Sequence, residues 1–346
     1  MSYLVRSLLV LGVLVFSGLL VQGDDPPKKE APNPLLPKEV PKPLPKEVVD
    51  AWKKAGATVG WCSLTSFHST DEQPKAGWVP AFLIRNWKEG MLKELPAPDT
   101  AFAIRVSRTK VTDAALKEIA QFKQLAMLNI SSTQVTDAGL KEIANLKQLI
   151  ALEIENTQVT DAGLKEIANL KQLAMLNVYE TKVTDAGLKE LAGMKLQVII
   201  LSKQHQTDLG LKHYVAAIAP PTTLNLSRWQ VTDSGLKELA GMKLRGLYIP
   251  SKAQTDLGLK HYLAAIEPPT TLSLYGWKVT DAGLKELTNQ KQLTSLTLYG
   301  TKVTDAGLKE LEELKQLTRL YLGGTKVTGE GVEELQKALP KCKIAR

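Results

Sequence analysis

Leu125-Ala126-Met127-Leu128-Asn129-Ile130-Ser131-Ser132-Thr133-Gln134-Val135-Thr136-Asp137-Ala138-Gly139-Leu140-Lys141-Glu142-Ile143 decides the fold of this 346-residue chain. Its opening L-x-x-L-x-L alternates with period two, which predicts a short strand with Leu128 and Ile130 pointing inward. Thr136 or Asp137 then offers a side-chain oxygen to cap a helix, and an Asp there also favours the positive end of the helix dipole. Leu140, Ile143, Ala144 and Leu146 recur at helical spacing while Lys141 and Glu142 face water. The Thr-Asp pair returns at 112/113, 136/137, 160/161, 184/185, 207/208, 232/233, 255/256, 280/281 and 304/305, with Thr328-Gly329 as a degenerate tenth copy. Spacings of 23 to 25 residues mark a stacked array in which no unit buries its apolar face alone. Each unit is one strand plus one short helix, so the expected fold class is α/β, with stacking that makes a parallel sheet lined by helices.

L-x-x-L-x-L followed by T-x-V-T-D-A-G-L resembles leucine-rich repeat proteins, especially bacterial secreted arrays that begin each helix with T-D-x-G-L. The resemblance spans about residues 101–344 and implies a leucine-rich repeat solenoid, a curved right-handed β/α superhelix with the parallel sheet on its concave face and short helices on its convex face. It is specific for fold and hardly at all for function. The Asn that usually follows the strand in that family is replaced by Thr109, Thr133, Thr157, Thr181, Thr301 and Thr325. Their hydroxyls are expected to donate and accept along the same ladder between repeats. The glycines of each D-x-G-L are expected to answer crowding between stacked helices.

A second period lies within the first. Gly-Leu-Lys-Glu-Leu-Ala-Gly-Met-Lys-Leu occurs at 187–196 and again at 235–244, and Thr-Asp-Leu-Gly-Leu-Lys-His-Tyr at 207–214 and 255–262. A two-repeat block has been duplicated, and inside it the Thr of the ladder becomes Gln204, Trp229, Lys252 and Trp277. The two tryptophans read as bulky fillers of a locally widened rim. A sharper alternative makes them an aromatic pair that stacks on a sugar or a partner.

The chain ends set context. Arg6, the apolar stretch at 7–20 and the small residues around Gly23 read as a signal peptide over residues 1–23. Residues 24–46 hold eight of the 18 prolines and read as a semi-extended tether. Residues 47–100 read as an N-terminal capping region, with an amphipathic helix at 46–55 and strand-like stretches at 58–64 and 78–84. Residues 101–346 carry about ten repeats and a C-terminal cap: a helix at 331–339, stopped by Pro340, and a short edge at 342–344. Cys62 and Cys342 flank the array; ten continuously stacked strands about 4.8 Å apart would hold them far beyond disulfide reach.

Chemistry is hard to find. No phosphate-binding loop, H-E-x-x-H or paired-cysteine motif occurs. Cys62 and His68 form the nominal pair nearest to a nucleophilic site, six residues apart with no third orienting group. No catalytic, cofactor-binding or metal-binding residue is therefore assigned. Net charge is +8, spread over Lys-Glu dipeptides rather than gathered in a basic run with interleaved aromatics, so no nucleic-acid partner is expected.

Function is expected on the concave sheet face, where residues flanking the inward leucines point outward. One column reads Arg105, Asn129, Glu153, Asn177, Ile200, Asn225, Tyr248, Ser273, Thr297, Tyr321; the next reads Ser107, Ser131, Glu155, Tyr179, Ser202, Ser227, Pro250, Tyr275, Tyr299, Gly323. Tyr275 and Tyr299 share a column on neighbouring strands, so their rings are expected to stack. Tyr248, Tyr275, Tyr299 and Tyr321, with Arg319, Tyr179, Trp229 and Trp277, form the candidate partner-binding set, since tyrosine offers a large rigid surface with a polar tip. The expected function is non-catalytic binding of a protein or peptide by an exported, monomeric array. That array is secreted, periplasmic or held at the cell envelope, with no membrane span after signal cleavage and no cofactor. Glycan or cell-wall binding, or a structural envelope role, is the alternative.

Overall fold

The computed structural model describes residues 39–64 and 66–346. The expected signal peptide and most of the proline-rich tether lie outside the described residues. The chain divides into two compact units, one running to His205 and including His213–Ala219, the other comprising Gln206–Lys212 and Pro220–Arg346.

The first unit begins with the helix Lys46–Lys54, preceded by Pro45, and buries Val48 and Trp52. Trp52 stacks on Phe82 at 3.7 Å and meets Phe102 and Phe122 at tilted or edge-on angles. The first repeat has no predecessor to cover its core, and Trp52 and Phe82 supply that cover by packing on its Phe102 and Phe122. Strands Ala57–Cys62, Phe67–Ser69 and Val79–Ile84 pair antiparallel, and Val79–Ile84 turns the sheet parallel by pairing with Phe102–Arg105. Leu125–Asn129, Ala151–Glu153, Met175–Asn177 and Val198–Ile200 continue an eight-stranded sheet. Register follows the repeat: Leu128 lies beside Leu152, and Leu152 beside Leu176. Leu128 and Ile130 are buried as the alternation predicts.

The helices Asp113–Ile119, Asp137–Ile143 and Asp161–Ile167 follow their strands. Thr136 and Thr160 sit at the N-caps in extended conformation, and each hydroxyl accepts the N–H two residues on. The Asp has a different task from the expected cap. Asp113 accepts the Thr136 N–H at 2.8 Å and the Thr136 hydroxyl at 2.7 Å; Asp137 does the same for Thr160, and Asp161 for Thr184. The ladder between repeats is therefore this Thr–Asp column. The Thr109, Thr133, Thr157 and Thr181 hydroxyls instead donate to the carbonyl three residues back, closing their own turns.

The glycines answer crowding between stacked helices, as expected, and in the regular repeats the crowding atom is the Asp that starts the preceding helix. A Cβ on Gly139 would collide with Asp113 Oδ1, on Gly163 with Asp137 Oδ1, and on Gly187 with Asp161 Oδ1. Repeat one has no preceding Asp in this column, and its equivalent position is Ala115, fully accommodated in the core.

The second unit repeats the scheme with an interruption. Thr223–Asn225 pairs with Gly246–Tyr248 in a two-stranded sheet, while Thr271–Ser273, Ser295–Thr297, Arg319–Tyr321 and Lys343–Ala345 form a separate four-stranded one. The continuous strand stack expected from the period is thus broken between Tyr248 and Thr271. The ladder starts normally, with Leu244 bridged to Ile266 and the Glu267 N–H donated to the Leu244 carbonyl at 2.8 Å. Pro268 and Pro269 come next, and two consecutive residues without N–H donors end the pairing. The Thr–Asp column persists: Asp208 holds Thr232, Asp256 holds Thr280, Asp281 holds Thr304 and Asp305 holds Thr328, each through N–H and hydroxyl. Asp233 differs, accepting the Thr255 hydroxyl while its other oxygen takes the Ser234 N–H. The helix Gly329–Ala338 and the edge strand Lys343–Ala345 close this unit.

Candidate functional site

In the four-stranded sheet, Ser273 lies beside Thr297 and Thr297 beside Tyr321. Two residues beyond Ser273 and Thr297, Tyr275 and Tyr299 emerge on the face opposite the helices. Their rings stack at 5.0 Å with planes 4° apart, as the shared column predicts. The backbone fixes the pair from below. Gly276 donates its N–H to the Tyr299 carbonyl, Gly300 donates to the Gly323 carbonyl, and Gly276, Gly300 and Gly324 all take left-handed φ near +70°. A Cβ on Gly323 would lie 2.7 Å from Tyr299 Cε2, so the missing side chain is what lets the Tyr299 ring lie over the next strand.

Tyr275 is 66% exposed, and Tyr248, Tyr299 and Tyr321 join it among the most exposed large hydrophobic side chains. Arg319, also exposed, starts the strand that carries Tyr321. Around them stand Thr271, Ser273 and Thr297, and none of the four strands contributes a carboxylate. The surface is aromatic, hydroxyl-bearing and mildly cationic. Tyr248 belongs to the two-stranded sheet across the proline break.

Other candidates are placed differently. Trp277 is 8% exposed and meets Tyr262 edge-on, 5.4 Å between centroids, so it acts as filler and offers no open ring face. Burial raises the Tyr262 hydroxyl above its ordinary pKa. Trp229 is half-buried. Tyr179 lies in the first unit, half-buried, its N–H donated to Asn177 Oδ1.

The sheet face of the first unit is internally paired. Arg105 donates to Glu153 at 3.2 Å across the intervening Asn129 strand, and Asn177 donates to Glu155 at 3.1 Å. Burial raises the Glu153 carboxyl above its ordinary range, and Arg105 opposes that shift. Cys62 and His68 are not brought together: Cys62 lies opposite Phe67 and Trp61 opposite His68, so strand alternation sends the two side chains to different faces. Burial raises the Cys62 thiol, against activation as a nucleophile. His68 stacks on Trp78 at 3.9 Å and contacts Glu72 at 3.2 Å.

Sequence reasoning missed the Arg105–Glu153 pair, although both stand in the quoted column two strands apart. It also missed the meeting of two short basic segments, residues 85–88 and 108–110, which are separate along the chain but line one cavity. The Arg-Asn-Trp-Lys stretch at 85–88, with its aromatic between cations, was the available signal.

A leucine-rich repeat family model matches residues 127–144. No curated protein matches the chain. Among solved structures it is similar to an internalin, InlF, from Listeria monocytogenes, at 18% identity over 87% of this chain and 86% of that one, with a TM-score of 0.37. It is also similar to the Leptospira interrogans leucine-rich repeat protein LIC12759, at 17% identity over 77% and 89%, with a TM-score of 0.33. Among the described residues no helix is long and apolar enough to cross a membrane.

Proposed function

Because this chain is a leucine-rich repeat solenoid, the kind of scaffold that generally serves as a protein-interaction module, we propose that it is a non-catalytic binder of a protein or peptide. The contact surface is the tyrosine-bearing sheet face of the second unit, centred on Tyr275, Tyr299 and Tyr321, with Tyr248 and Arg319 at its margins. The chain reaches its partner outside the cytoplasm, secreted or held at the cell envelope, led by the signal-like residues 1–23.

One observation carries this reading: the parallel Tyr275–Tyr299 stack, open to solvent over a backbone that has Gly323 in place of a side chain. A folded surface seldom leaves several large aromatic rings exposed together without a partner to bury them. Rigid aromatic side chains lose little conformational entropy on binding, which suits them to anchor an interface. The hydroxyl and arginine neighbours suit a partner that is neutral or acidic at the contact.

The test is capture by cross-linking from the native cell envelope, comparing the natural protein with a variant carrying Tyr248→Ala, Tyr275→Ala, Tyr299→Ala and Tyr321→Ala. The reading requires a defined partner that the variant loses while its circular dichroism stays unchanged; equal capture by both overturns it.

A further inference from the structure

In the first unit, residues 85–88 and 108–110, with Ser132, line an open cavity of about 520 Å³. Four cations border it: Arg85, Lys88, Arg108 and Lys110. No carboxylate is among its lining residues, and none of the four cations forms an ion pair among the described residues. Trp87, half-buried, supplies the one aromatic wall, and Asn86, Thr109 and Ser132 supply neutral hydrogen-bonding groups.

The cavity rests on ordered backbone. Glu118 accepts the N–H of Gly90 at 2.6 Å and of Leu92 at 3.2 Å, and the Gln121 amide donates to the Leu92 carbonyl at 2.8 Å. Glu118 is buried for this purpose, whereas its equivalents Glu142 and Glu166 stay more open to solvent. On the other wall, Arg108 takes a left-handed turn at φ 59°, with its N–H donated to the Ser131 carbonyl at 2.9 Å. That turn is shared by Ser132, Asn156 and Glu180 and belongs to the scaffold. The side chain is what changes: the column runs from cationic Arg108 through two neutral residues to anionic Glu180.

The geometry points to a binding site for a short saccharide bearing sulfate or phosphate groups. Like charges are gathered here without counter-ions, which favours an anion that completes them. A volume in the hundreds of cubic ångströms suits one or two sugar rings rather than a macromolecule. Trp87 offers an apolar plane for a ring face, and the hydroxyl and amide groups suit sugar hydroxyls. A nucleic acid fits less well. It calls for a basic track with repeated aromatic platforms, whereas this column turns acidic at Glu180, where an extended polyanion would be repelled.

Calorimetric titration of the full-length protein at low ionic strength tests the site. The probes are a sulfated disaccharide, its phosphorylated counterpart, the neutral disaccharide, inorganic sulfate and a single-stranded oligonucleotide. Saturable binding of either charged sugar but not the neutral one supports the inference, and their ratio assigns the oxyanion. Replacing both Arg85 and Arg108 with Ala should weaken that binding about tenfold or more, as expected for lost charge-assisted hydrogen bonds, with thermal unfolding unchanged. Trp87→Ala should weaken the charged sugar while leaving inorganic sulfate unaffected. The inference is overturned by absence of saturable sugar binding, by equal binding in the double variant, or by an oligonucleotide that binds more tightly as it lengthens.

Discussion

Asp137 receives both the backbone N–H of Thr160, at 2.8 Å, and its hydroxyl, at 2.7 Å. The same Thr160 hydroxyl accepts the N–H of Ala162, so one side chain starts its own helix and ties it to the repeat before. In a solenoid, stability is a sum of unit terms and neighbour terms, and this contact belongs to both. Asp137→Ala should cost about 1–3 kcal/mol, the penalty for leaving the Thr160 donors unmatched. Thr160→Ser, which keeps both donors, should cost clearly less. Denaturant titration of the two variants checks the order; equal losses would mean that the carboxylate does not couple the repeats.

Gly163 and Ala115 occupy equivalent helix positions but prefer opposite residues, so exchanging Gly and Ala should destabilise at both. Alanine is ordinarily the better helix residue by about 1 kcal/mol. A methyl on Gly163 would nonetheless meet Asp137 Oδ1, and Val159 Cγ1 lies 2.8 Å from the same point. Gly163→Ala should therefore destabilise, by about 1–3 kcal/mol as other overpacked sites do. Ala115→Gly should lose about 1 kcal/mol from propensity alone. A stabilising Gly163→Ala, measured by thermal unfolding, would refute the steric role of the Asp column.

Ser132 adopts φ 56° at the turn where Gly276, Gly300 and Gly324 stand in later repeats. A left-handed conformation costs an L-residue about 1–2 kcal/mol, offset in part by the extra chain entropy of glycine in the unfolded state. Ser132→Gly should be neutral to stabilising, by at most about 1 kcal/mol. Glu180→Gly, at φ 56°, should behave alike. A marked loss in melting temperature for both would contradict this account.

Asp305 carries a pH signature. The Thr328 N–H and hydroxyl hold its carboxyl below the ordinary range for Asp, with Arg346 adding to the shift. A depressed folded pKa means a stabilising contribution fully present above the unfolded value of about 3.9. It is lost as pH falls through the lowered folded value. Asp305→Asn should therefore narrow the gap between stability near neutrality and stability in acid. Unfolding curves across that range should show a shallower acid limb in the variant, and an unchanged limb would count against the assignment.

The tyrosine stack should separate stability from binding. Tyr275 and Tyr299 are solvent-exposed, so Tyr275→Ala should cost no more than about 1 kcal/mol, the scale of an aromatic pair. Partner capture should fall about tenfold or more if Tyr275 is an anchor of the kind that dominates interfaces. A variant that captures its partner normally would move the contact surface elsewhere.

Much of this was legible in the residues. The inward Leu128 and Ile130 and the stacking of Tyr275 on Tyr299 follow from strand alternation and a fixed repeat, since parallel strands set equal positions side by side. The role of Asp137 was not legible, because a Thr-Asp pair reads equally as a local helix cap or as two halves of contacts to different neighbours. Ala115 hinted at the answer: the one repeat in this regular series without a preceding Asp lacks the glycine. The burial of Trp277 under Tyr262 was also hidden, because its column position specifies a place on the rim and leaves its orientation open.

The sequence by itself determined the period, the faces of strand and helix, and the residues that each face presents, because those depend on local geometry repeated every 23 to 25 residues. Tertiary structure decided what passes between copies. It made the carboxylate of one repeat the acceptor for the next, ended the ladder at Pro268-Pro269 where two donors are missing, and brought Arg85 and Arg108 to one cavity. Each of those outcomes depends on which groups meet across a distance the chain does not encode locally, and only packing sets that distance.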